Sequence, residues 1–263
     1  MKIVSVGTLK GGTGKTTMTF NLSGVLAEKN RVLMLDVDPQ CNLSNNAGIN
    51  IAQTDTYSSK DIFTGGDAQP EDLIIKSPIK GLPNLDIIPS NIYLIEAEMN
   101  LNSRPARESI LKNYIEDNIE QFNSYDYIII DTNPSMGLVN QNAFYASDSV
   151  ILVSDVDNNS RIGVELFMFL WKSTLKALRK KNNIKALILN RADNRTTLTG
   201  DIWEYYKDDE ELTSLLTEPP IRERIAFRRA ALSKIPINLY KDGRESSEEI
   251  HRLVKSLKEK GVF

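Results

Sequence analysis

The sequence predicts an α/β protein, a doubly wound and mostly parallel sheet with helices on both faces. Three observations carry that expectation. A glycine-rich stretch, Lys10-Gly11-Gly12-Thr13-Gly14-Lys15-Thr16-Thr17, joins the apolar run Ile3-Val4-Ser5-Val6 to a helical pattern. Several later apolar runs show no polar alternation, the mark of strands covered on both faces. Segments with helical spacing separate these runs, and such alternation builds parallel sheets.

In chain order, the first strand leads through the glycine-rich loop into a helix over 16–29, with Phe20, Leu22, Val25 and Leu26 apolar. Residues 31–38 read as a buried strand. Residues 39–84 are polar and turn-rich, with a short helical piece near 59–63, and 85–89 is a short strand. Residues 104–122 have helical spacing at Ile110, Leu111, Tyr114, Ile115 and Ile119. A strand is expected over 125–131, a helix over 137–146, a strand over 150–153 and a long helix over 162–180. Then come a strand at 184–190, a helix at 198–206 and a last strand at 214–217 before Pro219-Pro220. Residues 222–232 and 246–260 read as helices.

The chain has 263 residues, 41% of them hydrophobic, which suits one α/β domain over 1–263. Formal net charge is −3, so no global basic field draws it to nucleic acid, and any contact there needs a local patch. A single cysteine, Cys41, excludes an internal disulfide and fits a reducing cytosol. No signal peptide is expected, since Lys2 is followed at once by a strand pattern. The longest apolar run, Leu166-Phe167-Met168-Phe169-Leu170-Trp171, is far short of the ~20 residues of a membrane helix.

A glycine-rich turn between a strand and a helix wraps a phosphate in backbone N–H groups, with the helix N-terminus behind them. Gly11, Gly12, Thr13, Gly14 and Thr17 belong to that cradle. Lys15 is placed to reach β- and γ-phosphate oxygens, and the Thr16 hydroxyl to ligate Mg²⁺. Asp131 ends the strand Ile128-Ile129-Ile130, where a carboxylate is expensive without a partner and a metal-bound water is a natural one. Asp36 and Asp38, two apart at a strand end, share a face that looks toward the same loop.

The glycine-rich loop departs from the ordinary form, with Leu9 where its first glycine would stand and Lys10 as an additional lysine. This variant resembles the ParA/MinD family of ATPases, closest to the smaller ParA-type partition proteins. Two further blocks agree: Val32-Leu33-Met34-Leu35-Asp36-Val37-Asp38-Pro39-Gln40 and Tyr125-Asp126-Tyr127-Ile128-Ile129-Ile130-Asp131-Thr132. All three fall in the family's order. The resemblance implies a P-loop fold and weak ATP hydrolysis with Mg²⁺. It implies that Asp38 orients the attacking water, that Asp36 supports the metal shell formed by Thr16 and Asp131, and that Lys10 crosses a dimer interface to the partner's nucleotide. It places the adenine against Asn190 and Pro219. Asn133 departs from the family's Asp-Thr-Pro-Pro-Ser, in a loop expected to respond to the γ-phosphate.

Two basic clusters stand out, Lys176–Lys185 and the group Arg222, Arg224, Arg228 and Arg229. In ParA proteins late arginines contact DNA phosphates, so the resemblance implies Arg195 and that group as a nonspecific DNA surface. The whole reading is a cytoplasmic, nucleoid-associated partition ATPase: an ATP-dependent homodimer stimulated by a ParB-like centromere-binding partner. The alternatives are a MinD-like membrane-cycling ATPase and an amidoligase that uses the same loop. For the final helix, with Ile250, Leu253, Val254 and Leu257 on one face, packing against the sheet is expected rather than membrane binding.

Overall fold

A computed structural model describes residues 1–50, 57–65, 68–193 and 195–263. Part of the turn-rich stretch expected at 39–84 lies outside them. Six strands, β1 (Lys2–Gly7), β2 (Val32–Asp36), β3 (Leu85–Ile88), β4 (Tyr127–Asp131), β5 (Ser149–Asp155) and β6 (Ile184–Asn190), form one sheet in the order β3-β2-β4-β1-β5-β6. Every pairing between these strands is parallel. The chain also covers both outer edges: Ile75 bridges Ile87 of β3, and Leu216 bridges Leu187 of β6.

Alternating strand residues feed two faces, as the pleat requires. Val4, Val6, Val32, Met34 and Ile129 pack with the helices Lys15–Leu26 and Arg244–Glu259 on one side. Ile3, Leu33, Leu35, Ile128 and Ile130 face the helices Leu94–Leu101 and Leu138–Ala146 on the other. A third cluster joins β5 and β6 to the helices Asn158–Ala177 and Thr197–Asp208. The face Ile250, Leu253, Val254 and Leu257 is buried against the sheet, so the final helix packs inward as expected.

Three expectations change. The helix expected over 104–122 begins at Ile110, because Ala106 sits at φ 52 and stops an earlier start. It then breaks into Ile110–Asp117 and Ile119–Phe122 at Asn118, whose side-chain amide donates to the Tyr114 carbonyl at 2.9 Å. Such local bonds compete with regular helix. The first half of the strand expected at 214–217 is helix, the end of Glu210–Leu215, capped by Asp209 accepting from Leu212 N. Only Leu216 keeps a bridge to the sheet. The helix Leu94–Leu101 had no counterpart in the sequence reading.

Trp171 is fully buried against Phe144, ring centroids 5.5 Å apart, and its indole N–H donates to Asn183 Oδ1 at 2.9 Å. Asn183 in turn donates to the carbonyls of Phe144 and Ser147, tying β6 to the end of the helix Leu138–Ala146. Trp171→Ala is expected to cost about 3–5 kcal/mol through cavity formation. Trp171→Phe keeps most of the apolar contact but orphans Asn183 Oδ1, costing about 1–3 kcal/mol. Urea unfolding midpoints measure both, and a Phe variant as unstable as the Ala variant would show that the hydrogen bond is not the smaller part.

Candidate active site

The parallel sheet delivers its strand ends to one edge, and the candidate residues gather there. Beyond β1 the loop turns on Gly12 (φ 81) and Gly14 (φ 99), left-handed angles that favour glycine. Gly14 also has no room for a side chain, since a Cβ would fall 2.2 Å from Asn190 Nδ2. Asn190, at the end of β6, donates to the Thr13 carbonyl at 2.8 Å and so braces the loop from the far side. Gly14 precedes the helix Lys15–Leu26, whose free N–H groups and dipole favour an anion. Gly11 and Gly12 are exposed, Thr16 and Thr17 half-buried, and Thr13 Oγ1 is buried without a hydrogen-bond partner among the described residues.

The parallel register sets Asp36 opposite Asp131 on the adjacent strand. Both are fully buried. Asp131 accepts from Thr16 Oγ1 at 2.7 Å and from Thr19 Oγ1 at 3.1 Å. Burial, and then the neighbouring Asp36 carboxylate, pushes its carboxyl up to about 8. Asp36 accepts from Ser44 N and Oγ on one oxygen and from Asp38 N on the other. Burial pushes its carboxyl up to about 6. Asp38 lies just beyond β2 and accepts from Gln40 N at 2.9 Å. Lys15 is buried, and desolvation lowers its pKa against the opposing pull of Asp131 and Asp38. Thr16, Lys15, Asp36, Asp38 and Asp131 thus come together.

Lys10 is held within its own chain, 3.1 Å from Asp155 Oδ1 and 3.1 Å from Asp157 Oδ1. Asp155 ends β5, and Asp157 caps the helix Asn158–Ala177. The loop after Asp131 is gathered by Asn140, whose amide lies 2.9 Å from both Asn133 O and Ser135 O. Cys41, at φ 56, is buried with its thiol pushed up to about 11, which favours an unreactive side chain. Pro219 lines a cleft of about 640 Å³ with Thr199, Trp203 and Lys207. The segment after it runs beside β6, with Ile221 N donating to Leu189 O.

The expected DNA arginines sit mostly in ion pairs. Arg195 is bound to Asp193, Arg222 and Arg224 face Glu249, and Arg228 meets Glu223. Arg229 has no ion pair among the described residues. Sequence reasoning missed Thr19, Ser44, Asn140, Asp155 and Asp157. Thr19 follows Thr16 by three residues on one helix, and that spacing alone places both hydroxyls on a common face.

Two raised carboxyls make the metal-free protein pH-sensitive. Unfolded aspartates ionise near ~4, so above that pH the unfolded chain sheds protons that folded Asp131 and Asp36 retain. Stability of the metal-free protein should therefore fall as pH rises from ~4 and level off beyond about 8. Melting in a chelator across this range measures it. The slope should shrink in Asp131→Asn, and an unchanged slope there would exclude Asp131 as the source.

The profile of the AAA domain family matches residues 1–188. Sporulation initiation inhibitor protein Soj of Bacillus subtilis is 33% identical over 255 residues, covering 95% of each chain. A plasmid partition protein of Borrelia burgdorferi bound to AMPPNP is 25% identical, with a TM-score of 0.78 over 98% of this chain and 99% of that one. Apo McdA of Cyanothece, at 21% identity, shares the fold with a TM-score of 0.85 over 99% of both chains. The matched profile, the Soj relative and the all-parallel sheet agree, and the chain belongs to the ParA/MinD family of P-loop ATPases.

Proposed function

We propose that this chain is a ParA-type partition ATPase that binds ATP with Mg²⁺, dimerises when loaded and hydrolyses ATP slowly until a ParB-like partner stimulates it. The dimer would hold nonspecific DNA and so position a plasmid or chromosome on the nucleoid. The observation that carries the reading is the second lysine. Lys15 already supplies the buried cation beside Asp131 and Asp38, and Lys10 stands half-exposed at the mouth of the same loop. In the single chain Asp155 and Asp157 hold this cation, and a second copy facing the loop would offer it phosphate groups beyond the reach of Lys15 in their place. The nucleotide-bound Borrelia relative supports ATP as the ligand.

The donor set fits Mg²⁺. Thr16 Oγ1 and Asp131 Oδ2 are hard oxygens 2.7 Å apart at the loop. Bound there, the metal would neutralise charge on the β- and γ-phosphates. The chain's own residues do the rest. The loop amides and the helix N-terminus hold the phosphates. Thr13 Oγ1 has no partner among the described residues and could donate to the phosphates. Thr19 fixes Asp131, and Asp36 with Ser44 fixes the turn that carries Asp38. Asp38 then aligns water for attack, a task where positioning supplies much of the rate. The buried face of the final helix gives no support to a membrane-cycling role.

Lys15→Ala should lose most ATP affinity in calorimetry, and unchanged affinity would end the phosphate-loop reading. Asp38→Ala should keep ATP and the dimer while turnover falls on the order of 10²-fold. Lys10→Ala should bind ATP yet remain monomeric in light scattering. Normal ATP-dependent dimerisation of that variant would remove the trans role of Lys10.

A further inference from the structure

Arg222 and Arg224 leave the sheet edge and run directly into the helix Arg244–Glu259. Glu249 on that helix is only 5% exposed. Its Oε1 lies 3.2 Å from Arg224 Nη2 and 3.9 Å from Arg222 Nε. Glu245, one turn earlier on the same face, meets Arg224 Nη1 at 2.7 Å. The arrangement is incompletely satisfied. Arg224 Nε, Glu249 Oε2 and Ser246 Oγ are buried without a hydrogen-bond partner among the described residues. Both arginines and both glutamates line a cleft of about 510 Å³.

We propose that Glu245 and Glu249 act as an internal substitute for DNA phosphate, withholding Arg222 and Arg224 and so setting how strongly this chain grips DNA. The inference rests on the DNA-binding reading above and names its regulation. A carboxylate and a phosphate oxygen offer the same acceptor geometry to the guanidinium fork, so the two compete for it. The carboxylates are tethered, which keeps their effective concentration high. DNA reaching these arginines must displace an anion already in place. The wild-type salt dependence is then shallower than five free arginines would give, Arg229 being the group's member without an ion pair among the described residues.

The test uses nonspecific duplex DNA, a non-hydrolysable ATP analogue and Mg²⁺, with fluorescence anisotropy read over a salt series. Glu249→Gln should raise affinity on the order of tenfold at ~0.1 M salt. Its log–log salt slope should steepen by about 2 or more, since each new phosphate contact adds ~0.9 and each subunit of a dimer frees at least one arginine. Glu245 has a side chain 75% exposed, so Glu245→Gln keeps the fold and should move both quantities the same way by less. Arg224→Ala should weaken binding little in the wild type but cancel the gain in Glu249→Gln. Binding gained by the glutamine variants where wild type shows none also supports the clamp. If wild type binds and both glutamine variants match it in affinity and slope, the clamp is overturned while the DNA reading stands. If no form binds even at low salt, both fall together.

Discussion

Two carboxylates buried side by side at the carboxyl edge of the sheet set the terms for everything around them. The register that pairs β2 with β4 leaves Asp36 and Asp131 facing each other with no exposure to water. A carboxylate in such a place costs several kcal/mol unless it is hydrogen-bonded or neutralised. The partners come from three separate pieces of chain: Thr16 and Thr19 on the first helix with the Lys15 cation at its start, Ser44 beyond the second strand, and the backbone of Asp38. Each piece is thereby drawn to the same point. The phosphate loop, the turn carrying Asp38 and the strand end of Asp131 are one electrostatic unit, and substitution in any of them is felt by the others.

That unit was largely legible in the sequence because its residues are short-range signals. Glycines followed by Lys15 and Thr16 mark a turn, and an aspartate after three isoleucines marks a strand end. The 184–190 strand was also read to the residue, since nothing competes with its apolar run. What escaped was settled by distant partners. Asp155 and Asp157 look like ordinary loop acids until β5 brings them to Lys10 across 145 positions of sequence. The break at Asn118 depends on one side-chain amide, and the loss of a strand near residue 214 on the cap at Asp209. Periodicity does not report either event.

The arginines show the same limit from the other direction. Composition presented them as a basic cluster, yet most already lie against acids of the same chain. Counting charge along a sequence treats each cation as available. In the fold its availability depends on which helix comes to rest beside it. The availability of these cations is therefore a property of tertiary packing, set jointly by the late arginines and the acidic turn of the last helix.

The short segments along the outer strands carry a different consequence. An open edge of β3 or β6 would be a row of unpaired amides and carbonyls, a template on which another chain could add a strand. Ile75 occupies one border, with bonds to Ile87 in both directions, and the stretch from Leu216 to Ile221 occupies the other. With both borders occupied at these points, extending the sheet from one molecule into the next is disfavoured among the described residues. Association is left to the loop-bearing edge and the helical faces, where contacts are made by side chains and can be governed by what the loops hold.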